Sequence, residues 1–188
     1  MKDKIEQIIK ESILVKQGLL KSQTANIQKA AELIISSLKK GGKLLVCGNG
    51  GSAADAQHIA AEFVGRFKKE RKALPAIALT TDTSILTAIG NDYGYDFTFK
   101  RQAEALANKN DVLLGISTSG NSKNVIEAVE FANKIGMVTI GLTGGAGGKL
   151  AKLAKHSIIV PSSDTPRMQE SHILIAHIIC ELAEDSVS

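Results

Sequence analysis

Five short apolar runs, most followed by an amphipathic stretch, constrain this chain more than any other feature of its 188 residues. They lie at 43–47, 76–79, 112–116, 138–142 and 157–160. Each is unalternating and rich in Val, Ile and Leu, the pattern of strands buried on both faces. Helical spacing follows at 53–67, 83–89 with 97–107, 121–135, 149–154 and 168–182. Strand–helix alternation predicts an α/β fold with a parallel sheet and helices on both sides. Two further helices come first. Ile5, Ile8, Ile9, Ile13 and Leu14 share helical spacing, as do Ile27, Ala30, Ala31, Ile34, Ile35 and Leu38. The first precedes every strand, so the sheet need not cover it, and its apolar positions suit another subunit. With no long linker or repeat, residues 1–188 are expected to form one domain, with 1–40 as leading helices used in oligomerisation.

Composition removes several classes of function. At 44% hydrophobic and 22% charged the chain reads as soluble and globular. A formal net charge of +4 is too small to indicate nucleic acid. The densest basic run, 67–72 (FKKERK), includes Glu70 and has no tryptophan or tyrosine beside it, so it reads as a solvated helix end and loop. Cys47 and Cys180 sit in apolar segments with no CxxC pattern, which predicts buried free thiols. The N-terminus lacks the apolar core of a signal peptide, and no run approaches the ~20 apolar residues of a membrane span. A cytoplasmic protein is expected.

In a parallel sheet of this kind, ligands bind beyond the carboxyl ends of the strands. Gly48-Asn49-Gly50-Gly51-Ser52, Ser117-Thr118-Ser119-Gly120-Asn121-Ser122, Thr143-Gly144-Gly145 and Pro161-Ser162-Ser163 all follow strands there. The STSGNS segment opens a helix, whose first N–H groups are unpaired and carry partial positive charge. Hydroxyls of Ser117, Thr118, Ser119 and Ser122 add donors, which makes it a candidate phosphate cradle. Ordinary N-capping accounts for one or two such hydroxyls, not four. There is no GxxxxGK[ST] and no GxGxxG, so neither a P-loop NTPase nor a dinucleotide fold is indicated.

His58 and Glu62 are four apart, on one helix face and one turn apart, just beyond the glycine turn. Alone, such a pair is more often a surface contact. The last helix adds Gln169, Glu170, His172 and His177 within a strongly apolar segment. A neutral core histidine is the ordinary reading there, and spacing does not choose between His172 and His177 as a functional group.

Four segments together carry a resemblance: CGNGGSAADAQHIAAEF, LTAIGNDYGYD, GISTSGNSKNVIEA and TPRMQESHILIAHIICE. In order and spacing the chain resembles the bacterial phosphoheptose isomerases of the sugar isomerase (SIS) domain family over nearly its whole length. The resemblance implies a three-layer α/β/α sandwich around a five-stranded parallel sheet in flavodoxin-like order, assembled as a homotetramer. It implies isomerisation of sedoheptulose 7-phosphate to D-glycero-D-manno-heptose 7-phosphate, the first step of heptose supply for surface glycans, with one zinc ion per subunit. Carried over by motif, His58, Glu62, Gln169 and His177 match the zinc ligands. Asn49, Gly50, Gly51 and Ser52 match the sugar loop, Asn91 and Asp92 a substrate-contacting pair, and Ser117, Thr118, Ser119 and Ser122 the phosphate loop. Glu62 and Gln169 also match substrate contacts, and His177 is selected over His172.

An aldose–ketose isomerase needs a base that reaches C1 and C2 from one side of an enediol. Glu62 is the candidate base and His177 its partner acid. A carboxylate held on zinc is a poor base, so either Glu62 leaves the ion during turnover or the zinc is structural. The competing class is a non-catalytic SIS protein that binds the bacterial replication initiator or senses a sugar phosphate. Such a role does not need the Glu62/His177 pair, and no second domain is present for a helix-turn-helix regulator. An isomerase for another phosphosugar is the nearer alternative.

Overall fold

The structure, a computed structural model, describes residues 1–187. Helices α1 (Lys2–Ser22) and α2 (Thr24–Lys39) lead. The β/α alternation follows: β1 (Leu44–Gly48), α3 (Gly51–Val64), β2 (Ala76–Ala78), α4 (Thr83–Asp92), a 3-10 turn at Tyr95–Phe97 and α5 (Thr98–Leu106). Then come β3 (Val112–Ile116), α6 (Lys123–Lys134), β4 (Val138–Gly144), α7 (Gly148–Leu153), β5 (His156–Val160) and α8 (Thr165–Val187). The sheet is five-stranded, in the order β2-β1-β3-β4-β5, and each neighbouring pair is parallel.

The period of two along each strand divides the core. Leu44, Val46, Val112, Leu114, Ile140 and Leu142 face a layer built with α2, α3 and α8. Leu45, Cys47 and Leu113 point the other way, among Phe99, Val125, Val129 and Leu150 of α5, α6 and α7. β1 and β3 are buried at every position, so their sequences could not alternate. The edge strand β2 keeps only Ala78 buried.

Helix boundaries differ from the sequence pattern where capping outweighs hydrophobic spacing. α3 begins at Gly51, two residues early, because Gly50 takes φ +56° and turns the chain straight from strand to helix. It ends at Val64 rather than 67, and Phe67 belongs to the following loop. The Asp82 carboxylate accepts from the Ile85 N–H at 2.9 Å and starts α4. That helix runs on to Asp92, with none of its residues buried.

Of α1, only Leu19 is buried, while Ile5, Ile9, Ile13, Leu14 and Leu20 are exposed. Both cysteines are free and buried, and burial pushes each thiol up to about 12. Such thiols stay protonated and inert near neutrality. Among the described residues, no helix is long and apolar enough to cross a membrane.

Candidate active site

The candidate residues form two chemically distinct halves, one where strands end and helices begin and one along the flanks of two helices. The first is the turn from β3 into α6. Ser122 occupies the N-cap of α6, but its hydroxyl does not cap the helix. Ser122 Oγ instead lies 2.9 Å from Ser117 Oγ. Ser119 Oγ accepts from the Asn121 N–H at 3.2 Å, which leaves its own proton free to be donated outward. Gly120 has φ +65°, and a side chain there would run into the backbone of Gly147. The β4–α7 loop is thus pressed onto the serine loop, joined by Leu150 N–H to Gly120 O at 2.9 Å. Thr118, Ser119, Gly144, Gly145, Ser163 and Thr165 border a cleft of about 270 Å³. Neither Ser117 nor Ser122 lines the cleft, but its Thr118, Ser119, Ser163 and Thr165 hydroxyls suit an anion.

The glycine turn after β1 lies beside this loop because β1 and β3 are neighbours. Asn49 and Asn124 exchange side-chain hydrogen bonds at 2.9 and 2.8 Å, and Tyr95 OH donates to Asn49 Oδ1 at 3.0 Å. Asn49 therefore ties the glycine turn to the first turn of α6. Tyr95 and Asn124 lie within the segments LTAIGNDYGYD and GISTSGNSKNVIEA, but their residue types alone did not mark them as partners of Asn49. Ser52 is buried, and Gly51 faces α8 so closely that a methyl group there would strike the Gln169 amide.

The second half lies along the seam between α3 and α8. His58 Nε2 is 3.0 Å from Glu62 Oε1 and 3.4 Å from His177 Nε2. The imidazoles meet edge to face with centroids 5.0 Å apart, and the Phe67 ring lies 5.4 Å from that of His177. One ligand atom from each of His58, Glu62 and His177 lies within 4.8 Å of the others, so this trio is able to hold a metal ion. Two nitrogens bound tetrahedrally to zinc at about 2.0–2.1 Å would stand about 3.3 Å apart, so the facing histidine nitrogens fit such an ion. Asp55, one turn before His58, is half-buried, and its Oδ2 is sealed without a partner. Burial pushes the Asp55 carboxyl up to about 6, against the opposing pull of His58.

His172, which spacing did not separate from His177, points elsewhere. It is wholly buried, with Nε2 3.2 Å from the Thr143 carbonyl and Nδ1 unpartnered. Burial pulls its pKa down to about 4 despite that hydrogen bond, so it is the neutral core histidine. Asn91 and Asp92 stand apart from both halves. They end the exposed helix α4, where Asn91 Nδ2 donates to Asp92 Oδ1 at 2.8 Å. No hydrogen bond among the described residues links the pair to the serine loop or the histidines. The basic run also differs from expectation. Its Arg71 is not solvated but buried against Glu184 of α8.

Comparisons with known proteins place this architecture. The SIS domain family matches residues 8–144. The phosphoheptose isomerase of Campylobacter jejuni subsp. jejuni serotype O:6 is 59% identical over 175 residues, 93% of this chain and 92% of the relative. That of Aquifex aeolicus is 55% identical across 100% of this chain and 98% of the relative. The solved phosphoheptose isomerase of Neisseria gonorrhoeae superposes with a TM-score of 0.93 at 49% identity, covering 98% of both chains. The chain belongs to the phosphoheptose isomerases of the SIS domain family.

Proposed function

We propose that this chain converts sedoheptulose 7-phosphate to D-glycero-D-manno-heptose 7-phosphate, supplying heptose for bacterial surface glycans from the cytoplasm. The observation that carries the reading is the convergence of His58, Glu62 and His177, from distant parts of the chain, in a relative of named phosphoheptose isomerases. A sugar-phosphate sensor would need the serine cradle but not this trio.

The cradle of Ser117, Thr118, Ser119 and Ser122 holds the phosphate, and Asn49 to Ser52 border the sugar. Binding energy from the phosphate then orients C1 and C2 at the reacting groups. Glu62 removes a proton from C1 of the ketose and returns one to C2 of the enediol. His177, whose Nε2 would be a zinc ligand, hands a proton to O2 and takes one from O1 through Nδ1, which leaves the aldehyde at C1. His58, Glu62, Gln169 and His177 would hold zinc. When bound there, zinc supplies Lewis-acid polarisation of the sugar oxygens. Glu62 has two carboxylate oxygens, so proton transfer requires at least one of them free of the ion.

The exposed apolar positions of α1 support a homotetramer with residues 1–40 in its interfaces. Asn91 and Asp92, on a helix with no buried residue, contact substrate at a site shared with a neighbouring copy.

The decisive experiment incubates the zinc-loaded protein with sedoheptulose 7-phosphate and follows the aldose by NMR, with and without a chelator. Turnover that the chelator abolishes is expected. No turnover by the loaded protein would return it to the binding class. Glu62→Gln should cut kcat by about a hundredfold or more, the scale of a lost general base. Full activity in a zinc-loaded variant would remove Glu62 from that role.

A further inference from the structure

We propose that Arg71 and Glu184 are positioning residues for the α3–α8 centre, acting through the backbone of Glu62 and the ring of Phe67. The inference rests on the isomerase reading above for its kinetic consequence, but not for its geometry.

Glu62 lies in the last turn of α3, where helix carbonyls lack intrahelical partners. The Arg71 guanidinium takes them up. Its Nη2 donates to Glu62 O at 2.8 Å, and its Nη1 donates to Phe63 O at 2.8 Å and Gly65 O at 2.9 Å. A further bond runs to Lys72 O at 3.2 Å. On its other edge, Arg71 Nε pairs with Glu184 Oε1 at 3.2 Å, and the two side chains are only 4% and 1% exposed. Glu184 also accepts three successive N–H groups, from Phe67 at 3.0 Å, Lys68 at 2.7 Å and Lys69 at 2.9 Å.

The consequence is mechanical. Glu184 stands seven residues after His177, two turns along the same face of α8. The ion pair therefore joins the end of α3 that carries Glu62 to the helix that carries His177. The same carboxylate fixes the loop that lays Phe67 against the His177 ring. A guanidinium spreads its donors over a rigid fork, so Arg71 reaches several carbonyls while its Nε lies against the Glu184 carboxylate as an ion pair, which an ammonium does not manage. Lysine at position 71 would keep the charge but not this geometry.

The test uses the full chain with Arg71→Lys and, as the milder variant, the isosteric Glu184→Gln. Asp111→Asn serves as the control. Asp111 is also a buried carboxylate, bound to Lys43 Nζ and to the N–H groups of Lys43 and Asn108, but it precedes the central strand β3 and hydrogen-bonds to neither α3 nor α8. Circular dichroism and elution volume establish folding, and thermal midpoints put the three on one stability scale. Zn²⁺ affinity is measured by competition with a chromophoric chelator, and kcat and KM with sedoheptulose 7-phosphate. The expected result for both seam variants is a tenfold or larger fall in kcat and in Zn²⁺ affinity, with KM within threefold because the phosphate cradle is untouched. Asp111→Asn should lose thermal stability while keeping wild-type kcat and affinity. Seam variants that lose only stability, as the control does, would overturn the proposal. If wild-type protein fails to isomerise the sugar, the functional reading falls, and the Zn²⁺ arm alone decides the role of the pair.

Discussion

At the scale of single residues, Gly51 shows how a site requirement differs from a folding requirement. Its backbone is ordinary helix, so alanine can occupy it without strain. The cost falls on the Gln169 amide, the end of a flexible side chain, which a methyl would push aside. Gly51→Ala should therefore shift stability by less than about 1 kcal/mol. Zn²⁺ affinity should fall by roughly tenfold or more if Gln169 is a ligand, as chelator competition will measure. His172 makes the converse case, a histidine that serves folding alone. In the unfolded chain it titrates near the ordinary histidine value of 6.5, and in the fold burial pulls it down to about 4. Above pH 6.5 it is neutral in both states and its contribution is fully present. As pH falls toward 4, the unfolded chain gains a proton that the fold refuses, and up to about 3 kcal/mol is lost. Asp55, pushed up to about 6, acts in the opposite sense over much of that window. The measurement is therefore a difference: urea unfolding of wild type against His172→Gln, with the gap changing between pH 7 and pH 4. A constant gap would contradict the buried neutral assignment.

At the scale of elements, the junction of β3 with α6 departs from the usual helix start. A serine at the N-cap ordinarily bonds the helix's own N–H groups. Here Ser122 turns to Ser117 instead. The start of α6 is left without a side-chain cap beside a cleft edged by Thr118 and Ser119. The free proton of the Ser119 hydroxyl is placed for an anion. Hydrogen bonds to charged groups contribute about 1.5–3 kcal/mol, so Ser119→Ala should lower kcat/KM by roughly tenfold to a hundredfold. Its Zn²⁺ content should not change, because the histidines lie on the other seam. Unaltered kinetics would remove Ser119 from the cradle. The density of hydroxyls in STSGNS was legible in the sequence, but the absence of capping was not. A capping serine and one turned to another serine are the same letter.

At the scale of the whole molecule, α1 carries exposed Ile5 (53%), Ile9 (53%), Ile13 (49%) and Leu20 (72%) on one face of a 21-residue helix. An apolar face of that length is costly to leave in water and supports the proposed subunit interface. The proposed tetramer of a 19.9 kDa chain should have a mass of about 80 kDa in analytical ultracentrifugation, and Ile9→Lys with Ile13→Lys should reduce it. A variant that stays tetrameric would place the interface elsewhere. The layered fold itself was open to sequence reading. Runs such as Leu113 to Ile116 must be buried on both faces, and only helices on either side of a parallel sheet achieve that. The strand-end turns followed from the same argument, as did the pairing of His58 with Glu62 by helical period. Three things depended on tertiary structure. Spacing along α8 treats His172 and His177 alike, and only the crossing of α8 over α3 and β4 sends one to the Thr143 carbonyl and the other to His58. Arg71 reads as one more charge in a basic run until Glu184, more than a hundred residues later, buries it. Asn49 finds Asn124 only because β1 and β3 lie side by side. Local periodicity reports which face of an element is buried, because burial acts on every turn. Which side chains meet across two elements is decided by the angle and register at which those elements pack, and no single segment encodes that.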